Sequence, residues 1–510
     1  MRKQISRVAS WTMLSRVVGF VRDIIMAAVL GAGPVADAFL IAFRLPNHFR
    51  AIFAEGAMST AYVPAYSRVR TQEGPDAARR FADSVFAWQL LAQGVLLAAA
   101  LLATPWLITL LAPGFQDDPA KFALATELTR ITFPSLLLIS CMTLLSGSLN
   151  AVEKFAAAAA APVLMNLCMI AGLLAWRWFP TVGHAAAWGV LASGLAQFGL
   201  VWWAATRAGV GPRLRTPLLD ADTRRFFRAL GPAVIGSMGV QVAMFADTII
   251  ASFLSDGALA ALYYADRINQ LPIGVIGIAA GTVVLPQMAK KLAEGDEAGA
   301  RAAQNRAMEF TLLLAAPCVV AFVMIPDLIM TALFQRGKFD AMAAAAAGGT
   351  LAAYAIGLVA FVLIRSAVAC FYARGDTRTP LYASLTGIAI NVALKVALMG
   401  PLAQVGLALA TSVGAWVNVG LVIVLARRKG YFALDARFRR SAAVIALAAL
   451  GLGLVLWAGN AWLPGLLRQT AALRASALQP VVQLALMAAA GGAVYLGVVW
   501  LGLRARRRAA

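Results

Sequence analysis

Fourteen predominantly apolar stretches, each about twenty residues or longer, follow one another along this 510-residue chain. A helix needs about 20 apolar residues to cross the hydrocarbon core of a bilayer, where each backbone polar group must be satisfied inside the segment. Cuts at charge clusters and at Gly, Pro and Asn turns place spans near 8–31, 35–65, 81–111, 123–150, 156–178, 185–206 and 229–254. The rest fall near 258–288, 306–333, 343–372, 379–399, 404–426, 441–462 and 481–503. Gly31-Ala32-Gly33-Pro34, Ala112-Pro113-Gly114, Phe179-Pro180, Ser255-Asp256-Gly257 and Gly400-Pro401 act as breakers, and Val69–Arg80 reads as a loop. The period-two alternation of a barrel strand is absent. With 61% hydrophobic and 13% charged residues and a mean hydropathy of +0.78, a soluble globular domain is excluded. The expected fold class is an all-α polytopic membrane protein with 14 transmembrane helices.

The charge pattern orients these spans. With the N-terminus inside, the cytoplasmic segments hold 30 of the 44 Lys and Arg residues. The outside segments hold six: Lys121, Arg177, Arg336, Lys338, Arg468 and Arg474. A miscounted span would mix the two sets, so this bias supports both the count and two cytoplasmic termini. Arg16 and Arg22 interrupt the first apolar stretch and no small-residue cleavage site follows, so it is not read as a cleaved signal peptide. The net charge of +21 therefore belongs to membrane topology, and no nucleic-acid partner is expected.

Landmarks recur about 222 residues apart. Ala42-Phe43-Arg44-Leu45-Pro46 resembles Ala265-Asp266-Arg267-Ile268-Asn269, and Leu110–Phe115 corresponds to Ala332–Gly337. Leu149-Asn150-Ala151 followed by Asn166 corresponds to Phe371-Tyr372-Ala373 followed by Asn391. A unit of six spans repeated once predicts two pseudo-symmetric lobes flanking a central cavity, 1–222 and 223–430, with 431–510 supplying two further helices. Alternating-access transporters are built this way.

Eight cations lie within spans: Arg16, Arg22, Arg44, Arg50, Arg130, Arg267, Arg365 and Lys395. Each costs roughly 2.5–3.5 kcal/mol at a helix centre on insertion scales, so a central cation needs a role or a route to the interface. Snorkelling accounts for Arg130 and Arg365. Arg16 and Arg22 stand either side of the middle of span one, about 120° apart on a straight helix, with Gly19 between them as a potential bend. Arg50 follows Pro46, and Arg267 lies about ten residues into span eight. Asp23, Asp37, Glu55 and Asp266 are the nearby acids. Structural ion pairing is one reading. The other is a water-filled cationic cavity for a phosphate or pyrophosphate, whose oxygens suit the guanidinium fork. Asp247 and Lys395, with Asn391 one turn before it, form a separate polar set: a salt bridge, or a site coupled to a cation or proton.

Other signals carry less. Asp117-Asp118 before Pro119 reads as a helix N-cap, and Gly274, Gly277 and Gly281 as a packing stripe. The Gly375–Pro380 turn reads as a helix stop and start. Cys141, Cys168, Cys318 and Cys370 lie in apolar runs and read as small core residues. The motif of a histidine metalloprotease, a P-loop or a serine hydrolase does not occur, and no metal or cofactor is expected.

Ser15-Arg16-Val17-Val18-Gly19-Phe20-Val21-Arg22-Asp23, Ala36-Asp37-Ala38-Phe39, Arg44-Leu45-Pro46-Asn47 and Ile52–Ala57 together resemble the MurJ/MviN family. Tyr263–Ile268 with Leu271-Pro272, and Phe371–Thr377, are similar to later motifs of that family. These are lipid II flippases of the multidrug/oligosaccharidyl-lipid/polysaccharide exporter superfamily. The resemblance implies a transporter, not an enzyme, in the bacterial inner membrane. It would carry undecaprenyl-pyrophosphate-linked peptidoglycan precursor from the cytoplasmic to the periplasmic leaflet, with the cell-wall synthesis machinery as a further partner. It implies Arg16, Arg22, Arg50 and Arg267 as cavity residues, with Asp23, Asp37, Glu55 and Asp266 supporting, and spans 13 and 14 as a lipid groove. Lys395 stands where sodium-binding members would carry an acidic ligand, so no sodium site is expected. A flippase for another lipid-linked oligosaccharide is an alternative. A drug/cation antiporter of the same superfamily predicts an acidic cavity, and a membrane glycosyltransferase an acidic or histidine cluster at one face.

Overall fold

The computed structural model describes residues 2–51, 57–469 and 478–509, and every regular element in them is helical. In chain order these are α1 (Arg2–Leu30), α2 (Pro34–Arg50), α3 (Ala57–Glu73), α4 (Pro75–Leu102), α5 (Thr104–Leu111), α6 (Pro119–Thr132), α7 (Pro134–Ala151), α8 (Ala156–Leu174) and α9 (Val182–Arg207). There follow α10 (Ala221–Ser252), α11 (Ala258–Ala293), α12 (Glu297–Met324), α13 (Pro326–Phe334), α14 (Ala341–Tyr372), α15 (Arg378–Arg428), α16 (Ala436–Gln469) and α17 (Gln479–Ala509). Among the described residues, nine helical segments are long and apolar enough to cross a membrane. One of these, α15, has 51 residues, roughly twice the length one crossing needs. It breaks at Ala403, whose φ of 45° and ψ of −128° are left-handed and non-helical, two residues past Pro401. The helix order is consistent with fourteen spans.

Two details differ from the sequence reading. Val69–Arg80 is almost entirely helix, interrupted only at Gly74 (φ 90°), because the single left-handed glycine turns the chain and Pro75 starts the next helix. The fourth span is two helices, α6 and α7, joined at Phe133, since Pro134 cannot donate to the ladder of α6.

The internal repeat is visible in helix punctuation. Asp118 caps α6 by accepting from Ala120 N and Lys121 N, and Asp340, 222 residues on, caps α14 by accepting from Ala343 N. Left-handed residues end corresponding helices: Gly74 and Gly295 are 221 apart, Glu153 and Gly375 are 222 apart, Gly209 and Gly430 are 221 apart. The short helices α5 and α13 begin 222 residues apart, each at a proline-containing break. Left-handed conformations suit glycine, so Glu153 is the one place in these pairs where a side chain bears that strain.

The chain divides into two compact units. The first runs to Leu259 and takes in Arg336–Phe339; the second comprises Ala260–Gln335 and the chain from Asp340 onward. In the first, α8 packs against α1 and α9, α7 against α9, α2 against α6, and α3 against α4, α7 and α10. One of its cores is aromatic: Tyr62, Phe81 and Phe226 lie within 6.1 Å of one another by ring centroid, and the buried Tyr62 hydroxyl is satisfied by Ser148 Oγ at 2.7 Å. Thus α10, the first helix of the second repeat, packs within the first unit.

In the second unit, α14 packs on α12 and α15, α16 on α12 and α17, and α17 on α13. Asn305 Nδ2 donates to Ala433 O at 2.8 Å. Arg306 bridges Glu309 at 2.7 Å and also pairs with Asp435, which caps α16 through Phe438 N at 2.6 Å. Ser441 donates to the same Glu309. The base of α16 is therefore mounted on α12 by charge-assisted bonds.

Candidate functional site

The best-defined intramembrane charge is Arg22. It is 4% exposed, as is Asp23. Its Nη2 lies 2.6 Å from Asp23 Oδ1 and its Nη1 donates to Asn166 Oδ1 of α8 at 2.9 Å. Asn166 Nδ2 donates in turn to Ser15 O at 3.0 Å. A Cβ on Gly19 would stand 3.2 Å from Asn166 Nδ2, so Gly19 opens the space that lets α8 approach α1 and Asn166 reach both partners. Gly19, read from the sequence as a potential bend, thus also serves this close approach. The charge is paired and hydrogen-bonded, which is what burial demands. Asn166 enters the sequence reading only as a repeat landmark; a lone amide in an apolar span was the signal for its role.

Arg16, two turns earlier, is exposed. It lines a cavity of about 360 Å³ with Thr12, Ser15, Asn150 and Phe155. The two arginines therefore differ in kind, as their angular separation on one helix requires.

At the end of α2, Arg50 is half-buried beside Asn47, Ser135, Met165 and Ser193. Its neighbour His48 places Nδ1 3.3 Å from Gln241 Oε1 and Nε2 3.3 Å from Thr248 Oγ1, both on α10. Phe49 and His48 pack on Phe245 of the same helix at 6.1 and 4.9 Å. Asp247, half-buried, adjoins Thr248. This polar junction of α2 and α10 was not legible as such, since His48 alone carries no motif.

Asp37 is fully buried at the end of the first unit that bears the Gly31–Pro34 turn. Its Oδ2 accepts from Gly257 N at 2.8 Å and lies 3.4 Å from Lys121 Nζ. Lys121 also reaches Asp256 Oδ1 at 2.7 Å and lies 4.3 Å from the centroid of the Phe115 ring. A lysine counted among the outside cations thus proves to be a buried partner of Asp37. Glu55 lies outside the described residues.

In the second unit, Arg267 is half-buried, its guanidinium 4.8 Å from the Tyr263 ring centroid one turn back on α11. Asp266 accepts from Gln270 Nε2 at 2.6 Å. Gly277 leaves room for Arg365 of α14, whose Nε would stand 3.1 Å from a Cβ there. Lys395 is 3% exposed. Asn391, one turn before it, packs where the second half of α15 passes at Gly414. Asp247 belongs to the first unit and Lys395 to the second. Among the described residues no three His, Cys, Asp or Glu side chains gather as metal ligands.

Comparison with known proteins follows from this geometry. The family model described as lipid II flippase MurJ matches residues 26–474. A probable lipid II flippase MurJ of Rhizobium meliloti (strain 1021) is 39% identical over 98% of this chain and 93% of its own length. The lipid II flippase MurJ of Burkholderia cenocepacia is 33% identical over 97% of this chain and 96% of its own. A solved lipid II flippase MurJ in an inward closed conformation shares the fold, with a TM-score of 0.79, 22% identity and 98% coverage of both chains. An inward-facing multidrug resistance transporter of the MATE family also matches, with a TM-score of 0.65 and 17% identity over 83% of this chain and 97% of that one. On the family model and these relatives, this multi-pass helical chain belongs to the MurJ family of lipid II flippases.

Proposed function

We propose that this chain flips lipid II across the bacterial inner membrane by alternating access, with both termini in the cytoplasm. The observation that carries the reading is a set of guanidinium groups held within otherwise apolar helices: Arg16 and Arg22 on α1, Arg50 on α2 and Arg267 on α11. Guanidinium suits pyrophosphate because its fork matches two oxygens and its charge persists at any physiological pH. A cation-exporting relative would need the opposite polarity.

In this mechanism the two repeats, 1–222 and 223–430, are the moving lobes. The pyrophosphate binds the arginines, the bound anion screens their mutual repulsion and favours closure, and release follows on the far side. The polyprenyl tail stays in lipid beside 431–510. Asp23 orients Arg22, Asp266 stands beside Arg267, Asp37 supports the start of α2, and Glu55 is a further supporting acid. Asp247, Asn391 and Lys395 form a polar set that resets the carrier or braces it. An empty cationic carrier is driven inward by about 2.3 kcal/mol per charge per 100 mV, enough to assist the return.

The test is depletion followed by lipid analysis. Accumulation of lipid II in the cytoplasmic leaflet supports the reading. Normal translocation after depletion, in a strain shown to hold no other lipid II flippase, refutes it.

A further inference from the structure

One cavity in the first unit lies away from the arginines. It encloses about 610 Å³ between Leu30, Pro34 and Val35 on one side and Trp176, Phe179 and Pro180 on the other, with Lys338 at its rim. That volume is within the range of small-ligand pockets. The wall holding Lys338 is a hairpin from a distant part of the chain. Lys338 N donates to Ala28 O at 2.8 Å, and Gly337 (φ 57°) lies so close to the same carbonyl that no Cβ would fit. From the other side, a Cβ on Gly31 (φ 75°) would stand 2.8 Å from Lys338 O. The backbone of Lys338 is thus pinned at two glycines while its side chain is exposed.

Its ammonium lies 5.5 Å from the Trp176 ring centroid, and the Arg177 guanidinium 6.0 Å from the same centroid. Arg336 stands two residues from Lys338. Under the topology proposed above, these are three of only six cations in the outside segments. An interfacial tryptophan needs no such company: the belt role explains Trp176 but not a pinned lysine or the concentration of scarce charge. The start of α2 adds to the same polarity, since Gly33 is its N-cap and no side chain caps it.

We propose that this cavity is a release-side site for a carboxylate-bearing glycopeptide, the headgroup of the flipped lipid after it leaves the arginines. The ligand's identity rests on the flippase reading. Lys338 and Arg177 meet the carboxylate, and Phe179, Pro180 and Val35 cover the apolar face of a sugar ring or the methyl groups of a peptide stem. Holding the headgroup here disfavours its return to the carrier.

The test uses the full chain in zwitterionic nanodiscs and, as probe, soluble N-acetylglucosaminyl-N-acetylmuramyl-pentapeptide lacking pyrophosphate and lipid. Saturation-transfer NMR should show transfer from protein to the sugar and alanyl protons. Lys338→Glu and Trp176→Ala should each weaken binding by about fivefold or more, and Lys338→Arg should retain it. Arg267→Ala should leave probe binding unchanged. Thermal melting confirms that each variant is folded. Binding that is unaltered in both Lys338→Glu and Trp176→Ala, absent from the wild type at millimolar probe, or abolished by adding phosphatidylglycerol to the nanodisc overturns the proposal. The last result would assign the cavity to a phospholipid headgroup. Lipid II transport in proteoliposomes separates the two readings. Transport without probe binding sinks the release site alone, whereas probe binding lost in Lys338→Glu, in a wild type that transports no lipid II, sinks the flippase reading alone.

Discussion

Arg22 and Arg267 pose the same puzzle in sequence, a fixed positive charge inside an apolar helix, and the structure resolves them differently. Arg22 is buried, paired with its neighbour Asp23 and held by Asn166 from another helix. Arg267 is half-buried and lies over Tyr263 of its own helix. One charge is built into the packing of its unit, while the other is less buried and stacks on an aromatic ring one turn back on its own helix.

The largest effect expected from this contrast is on stability. Arg22→Ala leaves the Asp23 carboxylate buried without its guanidinium, a loss of about 3–5 kcal/mol that thermal melting should register along with loss of lipid II transport. A melting temperature equal to that of the wild type would break the contrast. The double variant Arg22→Met with Asp23→Leu should recover most of the stability and none of the transport.

Asp37→Ala extends the comparison to another buried pair. It removes the buried carboxylate 3.4 Å from the Lys121 ammonium, at a cost again of about 3–5 kcal/mol. Asp256, more exposed, remains 2.7 Å from Lys121 and keeps the loss toward the lower figure. Lys121→Met in the same background should restore stability, and failure to do so would show that Gly257 N is the partner that matters.

Arg267→Ala removes a cation–π contact of about 0.5–1 kcal/mol at a half-buried position and should lower stability less than Arg22→Ala does, while abolishing transport. A large melting shift with transport intact would reverse the assignment of the two arginines.

The smallest effect is at a pair outside the spans, the exposed Lys429 and the half-buried Asp376. The Lys429 ammonium beside Asp376, 2.8 Å away, and the bonds from Thr379 N and Oγ1 hold the Asp376 carboxyl well below its ordinary range. A carboxyl depressed in the folded state stabilises above the ordinary carboxylate range, and that contribution is lost as pH falls through the depressed value. The melting difference between wild type and Asp376→Asn should therefore stay constant from neutral pH down to the ordinary carboxylate range, then shrink with further acidification. A difference that grows on acidification would refute this.

Helix punctuation was largely legible. Asp118 before Pro119 caps α6, and Asp376, just ahead of α15, accepts from Thr379 N in its first turn. Both are local devices, since a cap joins residues two or three positions apart. The repeat was legible for a related reason: each lobe spends the same few turn residues at the same spacing, and Glu153 with Gly375 shows that the backbone keeps the conformation even where the residue type changes. Val69–Arg80 misled because a charged amphipathic helix outside the membrane looks like a loop to a hydropathy reading. The role of Gly19 in packing was not legible, because only the neighbour at Asn166 reveals a close approach.

The sequence alone determined the membrane-spanning helical class, the repeat and the presence of intramembrane charge, because these follow from local hydropathy, spacing and capping. Tertiary structure decided which charges are buried and which distant groups they meet. Arg22 meets a partner 144 residues away, and Asp37 meets partners 84 and 220 residues away. A charge reveals its neighbours in sequence, but its free energy is set by the groups that packing brings within about 4 Å, and those come from distant helices.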